Sequence, residues 1–420
     1  MPAKKERETA PALSPMQRKA ALADHPPVPA NCVVTGGTGF VGQRLVEMLV
    51  ERGAKRVVSF DIVPKERVRG AWDHPAIEYV VGDIADPVAV ENAIKGADCV
   101  WHLAAAVGPF HPQNIYKRIN YGGTVNVIAA CKKHGVSKLV MSTSPSTRFK
   151  GNIFSPPNID GLTEEEMPKL PMKSYMQPYA ATKAMAEVAV TEAVSDTFFT
   201  INVAPHQVYG PRDNLFMPNT MEAAGTGKLR IFADGKNRVC FTHVDNYCHA
   251  LIIAERQLYK GSPVLGQFYI ATDGDTHPEP DAYAILWKEL DLAVRGLGFT
   301  PLTEKFRLPF WLLYCIALLC EVFGWMIGKV FKLNVFNVFM LTINRWFKIG
   351  KIEKDLGYKP IIGFKEGWAD TIEWFRLNWL PEFKAAQAEA KKKGFLANWL
   401  GIATGSQAKI DIQAKTAAKK

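Results

Sequence analysis

Apolar positions in this chain fall into short runs separated by stretches with helical spacing. Residues 31–34 form an apolar run, a glycine-rich turn follows, 43–52 show helical spacing, and 57–60 are apolar again. That succession predicts strand, loop, helix and strand. Further runs at 99–104, 139–141 and 198–203 alternate with helical patterns at 122–134 and 180–193. Strands alternating with helices predict an α/β fold, a doubly wound parallel sheet with helices on both faces, over residues 31–205. Beyond about residue 205 the pattern fades into Pro- and Gly-rich stretches at 205–218 and 272–280, which predict a smaller C-terminal domain over 206–380. Residues 239–256 are expected to return to the sheet domain.

The ends read differently. Residues 1–30 hold Lys, Glu, Arg, Ala and Pro with no apolar stretch, which predicts a flexible tail rather than a secretory signal. Residues 381–420 are rich in Ala and Lys and predict a basic C-terminal tail. The net charge of +10 lies largely in these tails, and no recognised binding module accompanies it, so nucleic acid is not an expected partner. At 48% hydrophobic residues the chain is no disordered protein. Its seven cysteines form no CxxC pair and no Cys/His group at zinc spacing, so no metal site is expected and the thiols are read as reduced core residues.

Thr35-Gly36-Gly37-Thr38-Gly39-Phe40-Val41-Gly42 follows the first strand and opens the first helix. In that position glycines permit a tight turn and a close approach to a pyrophosphate, while the helix N-terminus offers N–H donors to it. Gly36, Gly39, Phe40, Val41 and Gly42 are therefore expected to bind a dinucleotide. The second strand ends at Asp61, whose carboxylate suits ribose hydroxyls and repels a 2′-phosphate, favouring NAD. Lys65, Arg67 and Arg69 follow closely and leave NADP open. Asp83, with Ile84 beside it, is placed at the adenine edge.

Tyr179 and Lys183 begin a helical pattern, and a spacing of four puts both on one helix face. A tyrosine of pKa near 10 is a poor base at neutral pH unless a nearby ammonium stabilises the phenolate. Upstream, the run 139–141 ends in Ser142-Thr143-Ser144, which sets hydroxyls at the carboxyl end of a sheet strand, where doubly wound folds bind ligands.

Taken together, TGGTGFVG at 35–42, GDIAD at 82–86, HLAA at 102–105, STS at 142–144 and YAATK at 179–183 resemble the extended short-chain dehydrogenase/reductases, over roughly 31–375. Within them the chain is similar to the 3β-hydroxysteroid dehydrogenase group, nearest to its sterol-4α-carboxylate 3-dehydrogenases (decarboxylating). Three stretches carry that likeness: HVDN at 243–246, YGPRD at 209–213 and DLGYKP at 355–360. The resemblance implies a Rossmann domain followed by a substrate domain. It also implies Ser144, Tyr179 and Lys183 as the catalytic set supported by Asn120, with Leu103, Ala104 and Pro205 joining the cofactor residues. The implied reaction is oxidation of a sterol 3β-hydroxyl followed by decarboxylation at carbon 4. Departures are Pro145 after the serine, Thr143 where serine is more usual, and Ala204 where an arginine often precedes the proline.

Residues 308–328 are apolar except for Glu321, are flanked by Lys305, Arg307, Lys329 and Lys332, and contain Trp311, Tyr314, Phe323 and Trp325. This pattern suits a membrane interface. A single crossing would separate the later DLGYKP stretch from the catalytic side, so a monotopic contact within 305–332 is expected, with 395–400 as a second interfacial stretch. The expected partners are thus a lipid or sterol substrate and a membrane surface, at the endoplasmic reticulum with the catalytic domain facing the cytosol. A homodimer stays open. The rivals are a nucleotide-sugar epimerase or dihydroflavonol-type reductase, and a non-catalytic subunit of a membrane complex. The apolar segment argues against the sugar nucleotide, and the retained Tyr179 and Lys183 argue against the silent subunit.

Overall fold

The structure is a computed structural model and describes residues 11–108, 111–152, 154–327, 331 and 333–392. In chain order the first half contains α1 (Pro15–Ala21), β1 (Asn31–Thr35), α2 (Phe40–Glu51), β2 (Arg56–Asp61), β3 (Ile77–Val81), α3 (Pro87–Ile94), β4 (Cys99–His102), α4 (Gln113–Tyr116), α5 (Gly123–Lys133), β5 (Lys138–Ser142), β6 (Ile159–Leu162), α6 (Pro178–Glu192) and β7 (Phe199–Pro205). A π-helical turn, Lys117–Gly122, joins α4 to α5. The second half contains β8 (Val208–Tyr209), α7 (Phe216–Gly225), β9 (Arg238–Val239), β10 (Thr242–His243), α8 (Val244–Arg256), β11 (Phe268–Ala271), β12 (Ala284–Ile285), α9 (Leu286–Gly296), α10 (Phe310–Ile327), α11 (Val335–Met340), β13 (Arg345–Phe347), α12 (Gly350–Leu356), α13 (Phe364–Trp374) and α14 (Leu380–Lys392).

Seven parallel strands in the order β3-β2-β1-β4-β5-β7-β11 make the main sheet. Its strands are apolar on both sides because helices cover both faces: Val33 and Val34, like Val57 and Val58, are fully buried although their side chains point opposite ways. Each such side chain contributes roughly 1.5–3 kcal/mol of burial. The direction of winding reverses between β1 and β4, and that switch point opens a crevice at the carboxyl ends of the strands. A four-stranded sheet, β12-β9-β13-β6, and the aromatic cluster of Tyr209, Phe241, Phe364 and Trp368 form the smaller domain.

The boundary differs from the expectation in two places. β6 lies within 31–205 but pairs with β13 of the small sheet, and β11 lies within 206–380 but closes the edge of the main sheet beside β7. Both are short strands placed by distant partners. The DLGYKP stretch also packs on the main sheet domain rather than the smaller one: Gly357 ends α12 in the left-handed conformation at φ 67°, and the Tyr358 hydroxyl donates to Thr272 O at 2.9 Å, just past β11.

Both expected tails are corrected where they are described. In 11–30, Ser14 caps α1 in a reciprocal capping box with Gln17, and Gln17 is fully buried, its Nε2 donating to Asp245 Oδ1 at 2.7 Å. In 381–392, α14 stacks Phe383 on Trp379 and ties Glu382 to Arg69 at 2.8 Å. The interfacial stretch expected at 395–400 lies outside the described residues.

Asp245 belongs to the HVDN motif, and the structure gives that motif a scaffolding task. His243 caps α8, Asp245 pairs with Arg44 of α2 at 2.9 Å, and Asn246 donates to Asp273 Oδ1 and Ile362 O and accepts from the Ile361 and Ile362 amides. One asparagine thereby binds the C-terminal segment to the main domain.

Candidate active site

The glycine loop is built for close approach. Gly36 sits at φ 73°, and a Cβ there would lie 2.8 Å from Ala104 N; one on Gly42 would lie 1.9 Å from Gly36 O. Only hydrogen fits either place, so α2 starts tight against the loop. Gly39 caps α2 with no side-chain acceptor, and no acid occupies the first turn, which leaves the Phe40 and Val41 amides as donors at the positive end of the helix. Leu103 and Ala104 line the opposite side, their amides donating to Thr35 O and Thr35 Oγ1 at 3.1 and 3.3 Å.

Asp61 stands at the end of β2, where it accepts from Thr38 N and Val63 N, both at 3.2 Å. Burial pushes its carboxyl upward and the Thr38 and Val63 hydrogen bonds draw it back. Of the three cations that kept NADP open, Lys65 pairs with Asp73 and Arg69 with Glu382. Asp83 pairs with Arg118 at 2.8 Å and accepts the Ala85 amide, while buried Ile84 packs under Gly123. Backbone donors at a helix start, a carboxylate at the second strand end and a glycine cradle fit a dinucleotide with an unmodified adenosine ribose.

Downstream of the cradle, Ser144, Tyr179 and Lys183 converge at the end of β5. Pro178 starts α6, which sets Tyr179 and Lys183 one turn apart. The Ser144 hydroxyl lies close enough to the Tyr179 phenol to lower its pKa, and its Oγ meets Ser146 Oγ at 2.8 Å. Lys183 is buried and donates to Ser142 O at 2.7 Å. Burial pushes the Tyr179 phenol up to about 12 and the Lys183 ammonium down to about 8, the latter opposed by Glu187. At neutral pH the tyrosine is thus a neutral donor and the lysine is charged.

The other hydroxyls of the Ser-Thr-Ser cluster are engaged elsewhere. Ser142 Oγ accepts from Tyr247, and Thr143 Oγ1 donates to Glu187, which also pairs with Arg148. Asn120, inside the π-helical turn, accepts the Ala106 amide at 2.8 Å and donates to Ala106 O and Thr182 Oγ1. It therefore clamps the loop after β4 to the catalytic helix. Pro205 ends β7 two residues beyond Val203, the register partner of Ser142 at the end of β5.

Three contributors were not foreseen. Tyr116 lies edge-on to the Tyr179 ring at 6.1 Å, and Ser146 adds a second hydroxyl beside Ser144. His102 is buried between Thr35 Oγ1 at 2.7 Å and Thr124 Oγ1 at 2.9 Å. Thr124 donates to Asn120 O, so His102 must donate from Nε2 and accept at Nδ1. That neutral form agrees with a pKa lowered to about 3 by burial and by Lys183. The string joins the glycine loop to the Asn120 turn, and only the HLAA motif hinted at it.

Residues 33–299 match the 3-beta hydroxysteroid dehydrogenase/isomerase family. A 2-alkyl-3-oxoalkanoate reductase of Stenotrophomonas maltophilia (strain K279a) is 33% identical, over 80% of this chain and 96% of that protein. The sterol-4-alpha-carboxylate 3-dehydrogenase, decarboxylating, of Homo sapiens is 31% identical over 82% of this chain and 88% of its own. The 3beta-hydroxysteroid-dehydrogenase/decarboxylase isoform 1 of Arabidopsis thaliana is 32% identical over 82% and 79%. Among solved structures, the epimerase Mth375 of Methanothermobacter thermautotrophicus aligns with a TM-score of 0.62 at 20% identity, covering 88% of this chain and 97% of that one, a likeness of fold.

Proposed function

The chain belongs to the 3-beta hydroxysteroid dehydrogenase/isomerase family, and on that premise we propose that it is an NAD-dependent dehydrogenase oxidising the 3β-hydroxyl of a 4α-carboxysterol, with subsequent loss of the carboxyl carbon. The convergence of Ser144, Tyr179 and buried Lys183 at the end of β5, the last two one turn apart on α6, carries this reading. Ser144 and Tyr179 hold the substrate hydroxyl, and Tyr179 takes its proton. A phenol at about 12 needs a nearby positive charge for that step. Lys183, one turn along the same helix and charged at neutral pH, supplies that charge. When bound, the nicotinamide accepts the hydride from carbon 3. The product is a β-keto acid, which loses carbon dioxide through its enol without a metal.

The names of two relatives share one chemistry. A sterol 4-carboxylate with a 3-hydroxyl and a 2-alkyl-3-oxoalkanoate both carry a carboxylate β to the reacting oxygen. The test is to supply purified protein with NAD and a 4α-carboxysterol, beside a panel of nucleotide sugars. NADH and carbon dioxide should appear one to one with the sterol acid. NADH formation with a nucleotide sugar and none with the acid overturns the proposal.

We also propose a monotopic contact with a membrane, at the cytosolic face of the endoplasmic reticulum. α10 supports it. Leu313 and Ala317 are buried against Val335, Val338 and Phe339 of α11, whereas Trp311, Leu319, Val322, Phe323 and Met326 are more than half exposed. The lone acid, Glu321, accepts the Val335 amide at 2.9 Å and so serves the start of α11. Among the described residues no helix is long and apolar enough to cross a membrane. Contiguous exposed apolar surface of this kind on one helix suits insertion into one leaflet, where a sterol also resides.

A further inference from the structure

Arg345 is a buried cation that meets no counter-charge among the described residues. It is 8% exposed, and among the described residues no carboxylate lies within ion-pair distance of it. Among the other enclosed arginines, Arg44 is met by Glu47, Glu51 and Asp245, Arg148 by Glu187, and Arg212 by Glu47. Arg52, also 8% exposed, meets only His249 Nδ1 at 3.1 Å among the described residues, but it stands at the end of α2 remote from the glycine loop. Arg345 instead donates from Nη1 to His206 Nε2 at 3.1 Å and from Nη2 to Met340 O at 2.8 Å, and its Nε has no partner. His206 is no counter-ion. Its Nδ1 donates to Cys240 O at 2.7 Å, which leaves Nε2 as a neutral acceptor, and burial together with Arg345 lowers its pKa to about 3. A guanidinium held this way keeps its charge and lacks the anion that burial calls for.

Its place matters as much as its charge. His206 follows Pro205 at the carboxyl end of β7, the strand beside β5, whose end carries Ser144. On the other side Met340 belongs to the apolar packing beneath α10 and α11. Arg345 thus stands between the catalytic end of the sheet and the apolar element, where an amphipathic substrate would need its acid end met.

We propose that Arg345 binds the substrate carboxylate β to the reacting oxygen and so selects β-hydroxy acids over plain hydroxysterols. This rests on the reaction proposed above. The guanidinium fork suits a carboxylate through two parallel N–H donors, and Nε, enclosed by the protein and unpartnered, is the donor that a bound carboxylate would satisfy. Holding the carboxylate keeps carbon 3 over Ser144 and Tyr179. It leaves Lys183 to its own task at the phenol.

Two measurements test it. In the first, kcat/KM is compared for two 3β-hydroxysterols that differ only in the 4α-carboxylate. Arg345→Met should cut the acid-over-neutral ratio at least about tenfold, and Arg345→Lys should restore part of it. A purely structural arginine would lower both rates together, and an unchanged ratio overturns the proposal. The second needs no variant and no turnover. A 4α-carboxysterol lacking the 3-hydroxyl, and its methyl ester, are titrated into the wild-type protein with NADH. The acid should bind at least about tenfold more tightly, and equal binding overturns the assignment even if oxidation proceeds. Tight binding of the acid without oxidation of any carboxysterol would instead sink the reaction and spare the carboxylate site.

Discussion

The Lys183 ammonium donates to the backbone carbonyl of Ser142 at 2.7 Å, which ties α6 to the end of β5 through a buried charge. Its folded-state pKa falls from 10.5 to about 8 because burial penalises the cation. Between those values the unfolded chain holds more protons, so stability rises with pH across that window. Below pH 8 the full penalty applies, about 3 kcal/mol at most. Lys183→Met should therefore melt higher than the wild type below pH 8, with the gap closing toward pH 10.5. A gap independent of pH would show that burial of the charge is not its source.

Tyr179→Phe removes the proton acceptor and leaves the glycine cradle untouched. Turnover should fall by about 10²–10⁴-fold while NAD affinity, read by fluorescence quenching, stays near the wild-type value. A phenylalanine variant with near-normal turnover would falsify the assignment.

Asp61, at the end of β2 where a dinucleotide ribose would lie, receives the Thr38 and Val63 amides. Asp61→Ala should lower the NAD-over-NADP ratio of kcat/KM, or reverse it, and should cost about 1.5–3 kcal/mol through the lost charged hydrogen bonds. A wild-type protein that already prefers NADP contradicts this role.

Glu47 is gripped at both oxygens by Arg212, at 2.6 and 2.7 Å, and touches Arg44 at 3.2 Å, all three being nearly buried. Removing one partner of such a group leaves an uncompensated charge, so Glu47→Ala should cost about 3–5 kcal/mol by denaturant titration. A loss below about 1 kcal/mol would place the pair among weakly coupled surface ions.

The exposed face of α10 gives the membrane prediction. Trp311→Glu with Leu319→Glu, at positions 67% and 68% exposed, should release the protein from anionic vesicles without lowering its melting temperature. In sealed microsomes, tags before residue 305 and after 360 should be equally accessible to protease. Protection of one tag alone would show a crossing.

Much of the site was legible because it is local. A glycine loop between strand and helix, an acid at the end of the next strand and a tyrosine four residues before a lysine are short-range patterns, and the backbone periods of strand and helix convert them directly into position. The strand Ile77–Val81 was less legible because it forms the sheet edge, where none of its residues is fully buried and Glu78 interrupts its apolar positions.

The sequence by itself determined the doubly wound sheet, the glycine turn between β1 and α2 and the placing of Tyr179 and Lys183 on one helix face, since each depends on residues within a turn or two of one another. Only the tertiary structure decided that Gln17 reaches Asp245 across 228 residues and turns an expected tail into a docked helix, that β6 leaves its neighbours to pair with β13, and that Arg345 meets His206 across 139 residues. Such contacts follow from which distant surfaces and charges remain unburied once the local elements exist. No window of sequence contains both partners, and the free energy that selects them appears only when the chain is closed upon itself.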